Sequence, residues 1–396
     1  MMGKILAVNG GSSSIKFAVY QTGDPPASQL HGKVEGIGSR STTFTFEESV
    51  RNEQDSRGIG ELDHLSAATF LIDWIEHQFG LSSLTAAGYR IVNGGANYSE
   101  PQRVTKPLLD ELRRISAYAP EHLPSEIALI DLFRDRAPGL LHVACFDTAF
   151  HRRMPPVAKI LPIPRRFRAK GIERYGFHGL SYSFLVEELI RVAGAGAAQE
   201  RVILAHLGNG ASLAAVRGGK SVDTSMSFTP AAGVPMGTRS GDLDPGLVSY
   251  LARTEHMSAE QFHHMVNHES GLIGVSETSS DLRDLLAREV DDMRAAEAIA
   301  LFCYQIKKWI GAFAAALGGL DTLVFAGGIG ENAPVVRARI CEGLGFLGIE
   351  LDPGRNAATE PVISAQVSPV EVRVIHTNEE LMIAKAVDRV LGSSNG

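Results

Sequence analysis

Two stretches of the chain, half a length apart, can be laid on one another residue by residue. Ile5-Leu6-Ala7-Val8-Asn9-Gly10-Gly11-Ser12-Ser13-Ser14-Ile15 falls on Ile203-Leu204-Ala205-His206-Leu207-Gly208-Asn209-Gly210-Ala211-Ser212-Leu213, an offset of 198 residues in a chain of 396. Each copy reads as an apolar strand, a Gly/Ser turn and a second short strand, over 15–20 in the first and 213–217 in the second. A duplicated domain with one hairpin loop per copy follows, and the length suits two domains better than one core. Around the hairpins, apolar strands alternate with amphipathic helices, which defines an α/β fold. Strands are expected over 86–92, 140–146, 201–206, 322–326 and 370–375. Helices are expected over 65–78, 107–117, 125–136, 182–193, 294–317, 333–343 and 379–391. In the longest, Ile299, Phe302, Ile306, Trp309, Phe313 and Leu317 recur at steps of three and four and mark one buried face. The Gly/Pro-rich stretch 229–246 reads as a long functional loop.

Charge and cysteine content narrow the partners and the compartment. A formal net charge of −7 gives no electrostatic reason to bind nucleic acid or an anionic membrane surface. Cys145, Cys303 and Cys341 show no CxxC spacing, so reduced thiols are expected rather than a disulfide framework or a thiolate zinc site. The first apolar run is broken at Asn9, unlike a signal peptide, and the apolar stretch 309–320 is shorter than the roughly 18 residues a membrane span needs. A cytoplasmic protein is expected.

Familiar nucleotide and hydrolase motifs fit poorly. Gly219-Lys220-Ser221 resembles the end of a Walker A loop, but Ala214 stands where the first glycine belongs, and a hairpin turn is the better reading. Gly179-Leu180-Ser181-Tyr182-Ser183 lacks the last glycine of a nucleophile elbow. His264 and His268 sit four apart without an evident third metal ligand. Gly328-Ile329-Gly330-Glu331-Asn332-Ala333 fits GxGxxA, with Glu350 about 20 residues on, so a dinucleotide site stays open.

Polar residues at strand ends carry more. Asp147 directly follows an apolar strand, where a carboxylate holds a metal or caps a helix. Arg90 lies inside an apolar strand and needs an anion, either a ligand or a structural carboxylate. Arg239 stands among small residues, and His178 between Phe177 and Gly179. Glycine turns, two arginines, a histidine and carboxylates together suit phosphoryl transfer, which needs backbone N–H groups around phosphates, a carboxylate-held Mg²⁺ and cations against the moving charge.

Seven motifs, in order along nearly the whole chain, resemble the acetate kinase family of the acetate and sugar kinase/chaperone/actin superfamily. They are Val8-Asn9-Gly10-Gly11-Ser12-Ser13-Ser14-Ile15-Lys16, Phe146-Asp147-Thr148-Ala149-Phe150-His151, Tyr175-Gly176-Phe177-His178-Gly179, His206-Leu207-Gly208-Asn209-Gly210-Ala211-Ser212, Met236-Gly237-Thr238-Arg239, Gly327-Gly328-Ile329-Gly330-Glu331-Asn332 and Thr377-Asn378-Glu379-Glu380. The resemblance implies a duplicated ribonuclease-H-like, actin-type ATPase domain with ATP in the cleft between two domains. It would place 1–148 plus 381–396 in an N-terminal acyl-kinase domain and 149–380 in a nucleotide-binding domain. The reaction implied is reversible in-line transfer from ATP to acetate, giving acetyl phosphate and ADP, with Mg²⁺ or Mn²⁺, in a homodimer.

Residue roles follow from the same likeness. Asn9 would contact the transferring phosphate, with Ser12, Ser14 and Lys16 in the first phosphate loop. Arg90 and Arg239 would bracket the acid's carboxylate and the γ-phosphate, and His178 would hydrogen-bond the phosphoryl group. Asn9, Asp147 and Glu379 would serve the metal. Val92, Phe177 and Pro230 would line the acyl pocket. His206, Gly208, Asn209 and Gly210 would cradle the β-phosphate. Asp281, Leu282, Arg283, Gly328, Ile329 and Asn332 would line the adenosine pocket.

The chain departs from the family pattern at Tyr89 and Asn93, where histidines are usual, at Glu121 and Leu123 around His122, and at Tyr182 in place of a histidine. Those departures leave open a kinase for another short acid such as propionate, or an ATP-binding regulator without turnover. The GxGxxA match leaves open an NAD-dependent oxidoreductase.

Overall fold

A computed structural model of the chain describes residues 3–11, 13–49 and 52–392. It divides into two compact units, Met1–Ala149 with Asn378–Gly396, and Phe150–Thr377.

The first unit carries an eight-stranded sheet. Its strands are β1 (Lys4–Gly10), β2 (Ser14–Gln21), β3 (Ala27–Glu35), β4 (Thr42–Glu48), β5 (Glu53–Gly60), β6 (Leu84–Ile91), β7 (Gln102–Arg103) and β8 (Leu141–Phe146), in the order β5-β4-β3-β2-β1-β6-β8-β7. The second unit carries β9 (Arg201–Leu207), β10 (Ala211–Arg217), β11 (Lys220–Thr224), β12 (Thr322–Ala326) and β13 (Glu371–Val374), in the order β11-β10-β9-β12-β13.

The internal repeat is a repeat in space. β1 pairs antiparallel with β2, closing Gly10 onto Ile15, and parallel with β6 on its other side. β9 pairs antiparallel with β10, closing Leu207 onto Ala211, and parallel with β12. Hence β3-β2-β1-β6-β8 and β11-β10-β9-β12-β13 have the same order and the same strand directions, as a duplicated α/β domain requires. The central strands are apolar and buried on both faces, as in covered parallel sheets, over Ile5–Val8 in β1 and Leu323–Ala326 in β12.

Helix ends follow local chemistry. Asp63 caps His64–Phe79 by accepting from Ser66 N at 2.7 Å, and Gly80 closes it. Asp292 caps Met293–Leu317, which ends on Gly318 in the left-handed region. That helix buries Ile299, Phe302, Ile306, Phe313 and Leu317 as expected. Ile310 takes the place assigned to Trp309, which is half-buried beside Phe313. The helix expected to reach residue 117 stops at Arg114 and passes into a short 3₁₀ turn, Ser116–Tyr118. Strands β3–β5 and the helices Gly246–Thr254, Ala259–His268 and Gly271–Ser276 have no counterpart in the expected elements. Residues 225–245 are free of strand and helix, as the composition of that loop implies. No helix among the described residues is long and apolar enough to cross a membrane.

Candidate active site

In the first unit the polar residues gather at the carboxyl ends of β1, β6 and β8, where α/β sheets place their ligands. Arg90, at the end of β6, is the centre. Its Nε and Nη2 donate to Asp147 Oδ2 at 2.8 and 2.6 Å. Its Nη1 donates to Gly10 O at 3.1 Å and to Glu126 Oε1 at 3.3 Å. Burial disfavours the guanidinium charge, but Asp147, Glu126 and Glu379 outweigh it and hold the cation firmly protonated. Asp147 opens a 3₁₀ turn, Asp147–Arg153, and pairs with Arg90.

Glu126 is a residue the sequence reading missed. It sits in the first turn of the helix Leu123–Arg136, in phase with buried Leu123, Ile127 and Ile130, and is itself buried. An acid on an apolar helix face is the signal that could have found it. Its second oxygen, Oε2, accepts from Val92 N at 2.9 Å, so one carboxylate ties Arg90 to the acyl-pocket residue Val92. Burial pushes the Glu126 carboxyl up to about 7, against the opposing pull of Arg90 and the Val92 N–H.

Asn9 lies at the end of β1, with Nδ2 donating to Glu379 Oε2 at 2.7 Å and Glu380 Oε1 at 3.1 Å. Lys16 is its register partner on β2, which puts both side chains on one face of the sheet. Gly11 N donates to Ser14 O at 2.7 Å and closes the first glycine turn. Ser12 lies outside the described residues.

Two departures have structural explanations. Tyr89 alternates with Arg90 along β6 and therefore faces the other side of the sheet. There it is buried, with its hydroxyl 2.8 Å from His142 Nδ1. Asn93 accepts from Gly95 N through Oδ1 at 2.7 Å, while its Nδ2 is buried without a hydrogen-bond partner.

In the second unit, the turn after β9 is a second collecting point. Gly208 N donates to Gly210 O at 3.1 Å. A Cβ at Gly210 would sit 3.3 Å from His178 Nε2 and 3.6 Å from Arg239 Nη1, and one at Gly208 would sit 3.9 Å from Gly328 N. Thus Gly208, Gly210, His178, Arg239 and Gly328 converge. Arg239 Nη1 also donates to the carbonyl of Pro230 at 3.3 Å, which joins that residue to the group. Gly237 N donates to Asn209 O at 3.3 Å, and a Cβ at Gly237 would meet Ser280 O at 3.1 Å, so the turn also abuts the segment leading to Asp281.

His178 adopts left-handed backbone angles, φ 58° and ψ 27°, at the head of the helix Gly179–Ala193. A non-glycine residue held there costs on the order of 1–3 kcal/mol, which the surrounding contacts must offset. Its Nδ1 lies 2.8 Å from Ser212 Oγ, which lies 2.5 Å from the Tyr182 hydroxyl. The His206 ring lies 4.4 Å away, with Nδ1 2.8 Å from Ser181 Oγ. Phe177 is buried, and its carbonyl is 3.0 Å from Nε2 of His151, whose pKa burial pulls down to about 4.

Of the expected adenosine residues, Asp281 caps the helix Leu282–Arg288 and pairs with Arg283, while Leu282 is buried. Asn332 donates to Gly328 O at 2.9 Å across the short helix Gly327–Asn332. Gly327 has φ 76°, and a Cβ there would lie 2.7 Å from Leu207 O, so only glycine fits.

The dinucleotide reading fails on topology. A Rossmann acid ends the strand after the glycine turn, but Glu350 is exposed beside the bridge from Leu351 to Ser364 and off the parallel strands β12 and β13. Gly218 and Gly219, both with positive φ, make the two-residue hairpin between β10 and β11. His264 and His268 stack on an exposed helix.

The acetokinase family model matches residues 4–385. An acetate kinase of Rhodopseudomonas palustris is 44% identical over 391 residues, 98% of each chain. A propionate kinase of Citrobacter rodentium is 42% identical over 98% of this chain and 97% of its own. Among solved structures, Porphyromonas gingivalis acetate kinase matches with a TM-score of 0.86 at 34% identity, covering 98% of this chain and all of that one. A propionate kinase of Francisella tularensis matches with a TM-score of 0.89 at 34% identity, over 97% and 99% of the two chains. Fold and site define a phosphotransferase with a carboxyl group as acceptor, on a duplicated actin-type ATPase scaffold. The chain belongs to the acetokinase family.

Proposed function

We propose that the protein is an acetate kinase, moving the γ-phosphoryl of ATP directly onto acetate to give acetyl phosphate and ADP. One observation carries this reading most: Arg90, fixed at a strand end beside the apolar Val92, joins a cation for a carboxylate to a wall for a short acyl chain. The acceptor is already an anion at neutral pH, so no general base is needed. The obstacle is repulsion between two anions, and cations screen it. Arg90 meets the acid's carboxylate. Arg239 and His178 meet the phosphoryl group above the glycine turn 208–210. Asp281, Leu282, Arg283, Gly328, Ile329 and Asn332 hold the adenosine.

Among the described residues, no three acidic, histidine or cysteine side chains converge into a ready-made metal cage. Mg²⁺ takes one or two carboxylates and completes its shell with water and phosphate oxygens. Asp147 and Glu379, with Asn9 beside Glu379, supply the hard oxygen donors. When bound, Mg²⁺ (or Mn²⁺) would neutralise phosphate charge. Three buried free thiols support a cytoplasmic setting, and the family likeness supports a homodimer.

Tyr182 has a place in this reading. With Tyr182 donating to Ser212 and Ser212 donating to His178 Nδ1, the histidine proton stays on Nε2, the nitrogen nearest the glycine turn. Tyr182→Phe should lower kcat by about tenfold, the effect of misorienting one donor, with little change in KM for ATP. Unchanged kcat in steady-state assays would remove Tyr182 from the chain.

The test of the proposal is ADP formation from Mg·ATP with acetate, propionate, butyrate and no acid in parallel. Acetate-dependent turnover with the highest kcat/KM supports it. A propionate preference, which the propionate kinases among the relatives make the specific second reading, reassigns the acceptor. ATP binding without acid-dependent turnover contradicts both.

A further inference from the structure

We infer that Glu126 competes with the acid substrate for Arg90, so that acid binding requires this carboxylate to let go of the guanidinium; the inference rests on Arg90 being the acid's anchor. The geometry is a matter of counting N–H groups. A guanidinium has five. The edge made by Nε and Nη2 is filled by Asp147 Oδ2. Both protons of Nη1 are engaged, by Gly10 O and by Glu126 Oε1. One N–H of Nη2 remains, and one N–H gives a carboxylate no bidentate grip. The acid gains the second N–H of the Nη1–Nη2 edge by displacing a neighbour. Gly10 O belongs to the backbone at the end of β1, in the sheet, and stays. Glu126 is a side chain whose bond to Nη1 is the longest of the set at 3.3 Å.

Glu126 can release Arg90 without losing its place, because its other oxygen stays anchored on Val92 N. Its departure from the guanidinium also lifts a like-charge penalty. While ionised, Glu126 repels an incoming carboxylate at the same Nη1 that it occupies. Protonation is the obvious release. The groups facing the carboxyl are Arg90 on β6, Asp147 after β8, and His64 on the helix His64–Phe79, which lines the same 110 Å³ cavity as Glu126, Gly10 and Gly11. Burial brings the titration near neutrality despite Arg90 and the Val92 N–H. The sign is fixed: raising the pH ionises Glu126, strengthens the competitor and weakens acid binding.

The experiment compares wild type with Glu126→Gln between pH 6 and 8.5, reading KM for acetate and for ATP separately. The amide keeps the size and can still accept from Val92 N, but carries no charge to hold Arg90. Wild-type KM for acetate should rise with pH through neutrality, by up to about tenfold per pH unit above the carboxyl's titration. In Glu126→Gln it should be flat, and about fivefold lower than wild type at pH 8, with KM for ATP unchanged. A residue that only supports the fold would move both constants together and leave the pH slope intact. An acetate KM that is equal or higher in Glu126→Gln at pH 8, with the wild-type slope, overturns the inference. Should Glu126→Gln not fold, wild-type titration calorimetry with acetate at pH 8, in buffers of different ionisation enthalpy, decides. Proton uptake on binding supports the competition, and none overturns it. Wild type without any acetate-dependent ADP formation would instead be a failure of the proposed function.

Discussion

Arg90→Ala should lower kcat/KM for the acid by about 10³-fold, because it removes the cation that anchors the acid and offsets its repulsion from the phosphoryl group. It should also destabilise the protein. Asp147 and Glu126 are buried around the guanidinium, and breaking a buried pair from one side costs about 3–5 kcal/mol because the partner is left uncompensated. The two effects separate by measurement. Thermal unfolding reports the second, and single-turnover assays on the folded fraction report the first. Arg90→Lys should recover stability better than activity, since a point charge satisfies two carboxylates but cannot reproduce the planar fork that grips Asp147 along one edge. Near-normal turnover in folded Arg90→Ala would remove Arg90 from the reaction.

Arg239→Ala should cost a similar factor, about 10³ in kcat, by a different route. Arg239 donates to the Pro230 carbonyl and lies close to Gly210 and His178, in a loop rich in glycine. Arg239 is half-buried in a loop outside both sheets, and the expected signature is a large loss of kcat with Tm changed little and nucleotide binding retained. A fall in kcat matched by a fall in Tm would make Arg239 a structural residue.

The contrast between the two arginines shows what sequence can and cannot carry. Apolar runs and glycine turns are local, so β1, β6, β8, β9 and β12 and their hairpins were legible, as was the duplication. β3–β5 were not, because Glu53–Gly60 is polar and mostly exposed and its register is set by neighbours rather than by its own pattern. Arg90 was legible as a cation in need of an anion, but which anion depends on contacts 36 and 57 residues away in sequence. Glu126 passes in one dimension for an ordinary acid near a helix N-terminus, and only packing reveals it as buried. Tyr89 is the converse: adjacent to Arg90 in sequence, it lies on the opposite face of β6 and bonds His142. Tyr182, a departure from the family pattern, is placed by the structure two hydrogen bonds from His178.

The most direct test of the account is whether the phosphoryl group arrives on a carboxylate. Purified protein would be incubated with Mg·ATP, acetate and hydroxylamine, and acyl hydroxamate and ADP measured together. Both should accumulate at a ratio of about one to one, and neither should form without the acid. ADP without hydroxamate, or at the same rate with and without acetate, would contradict transfer to the acid.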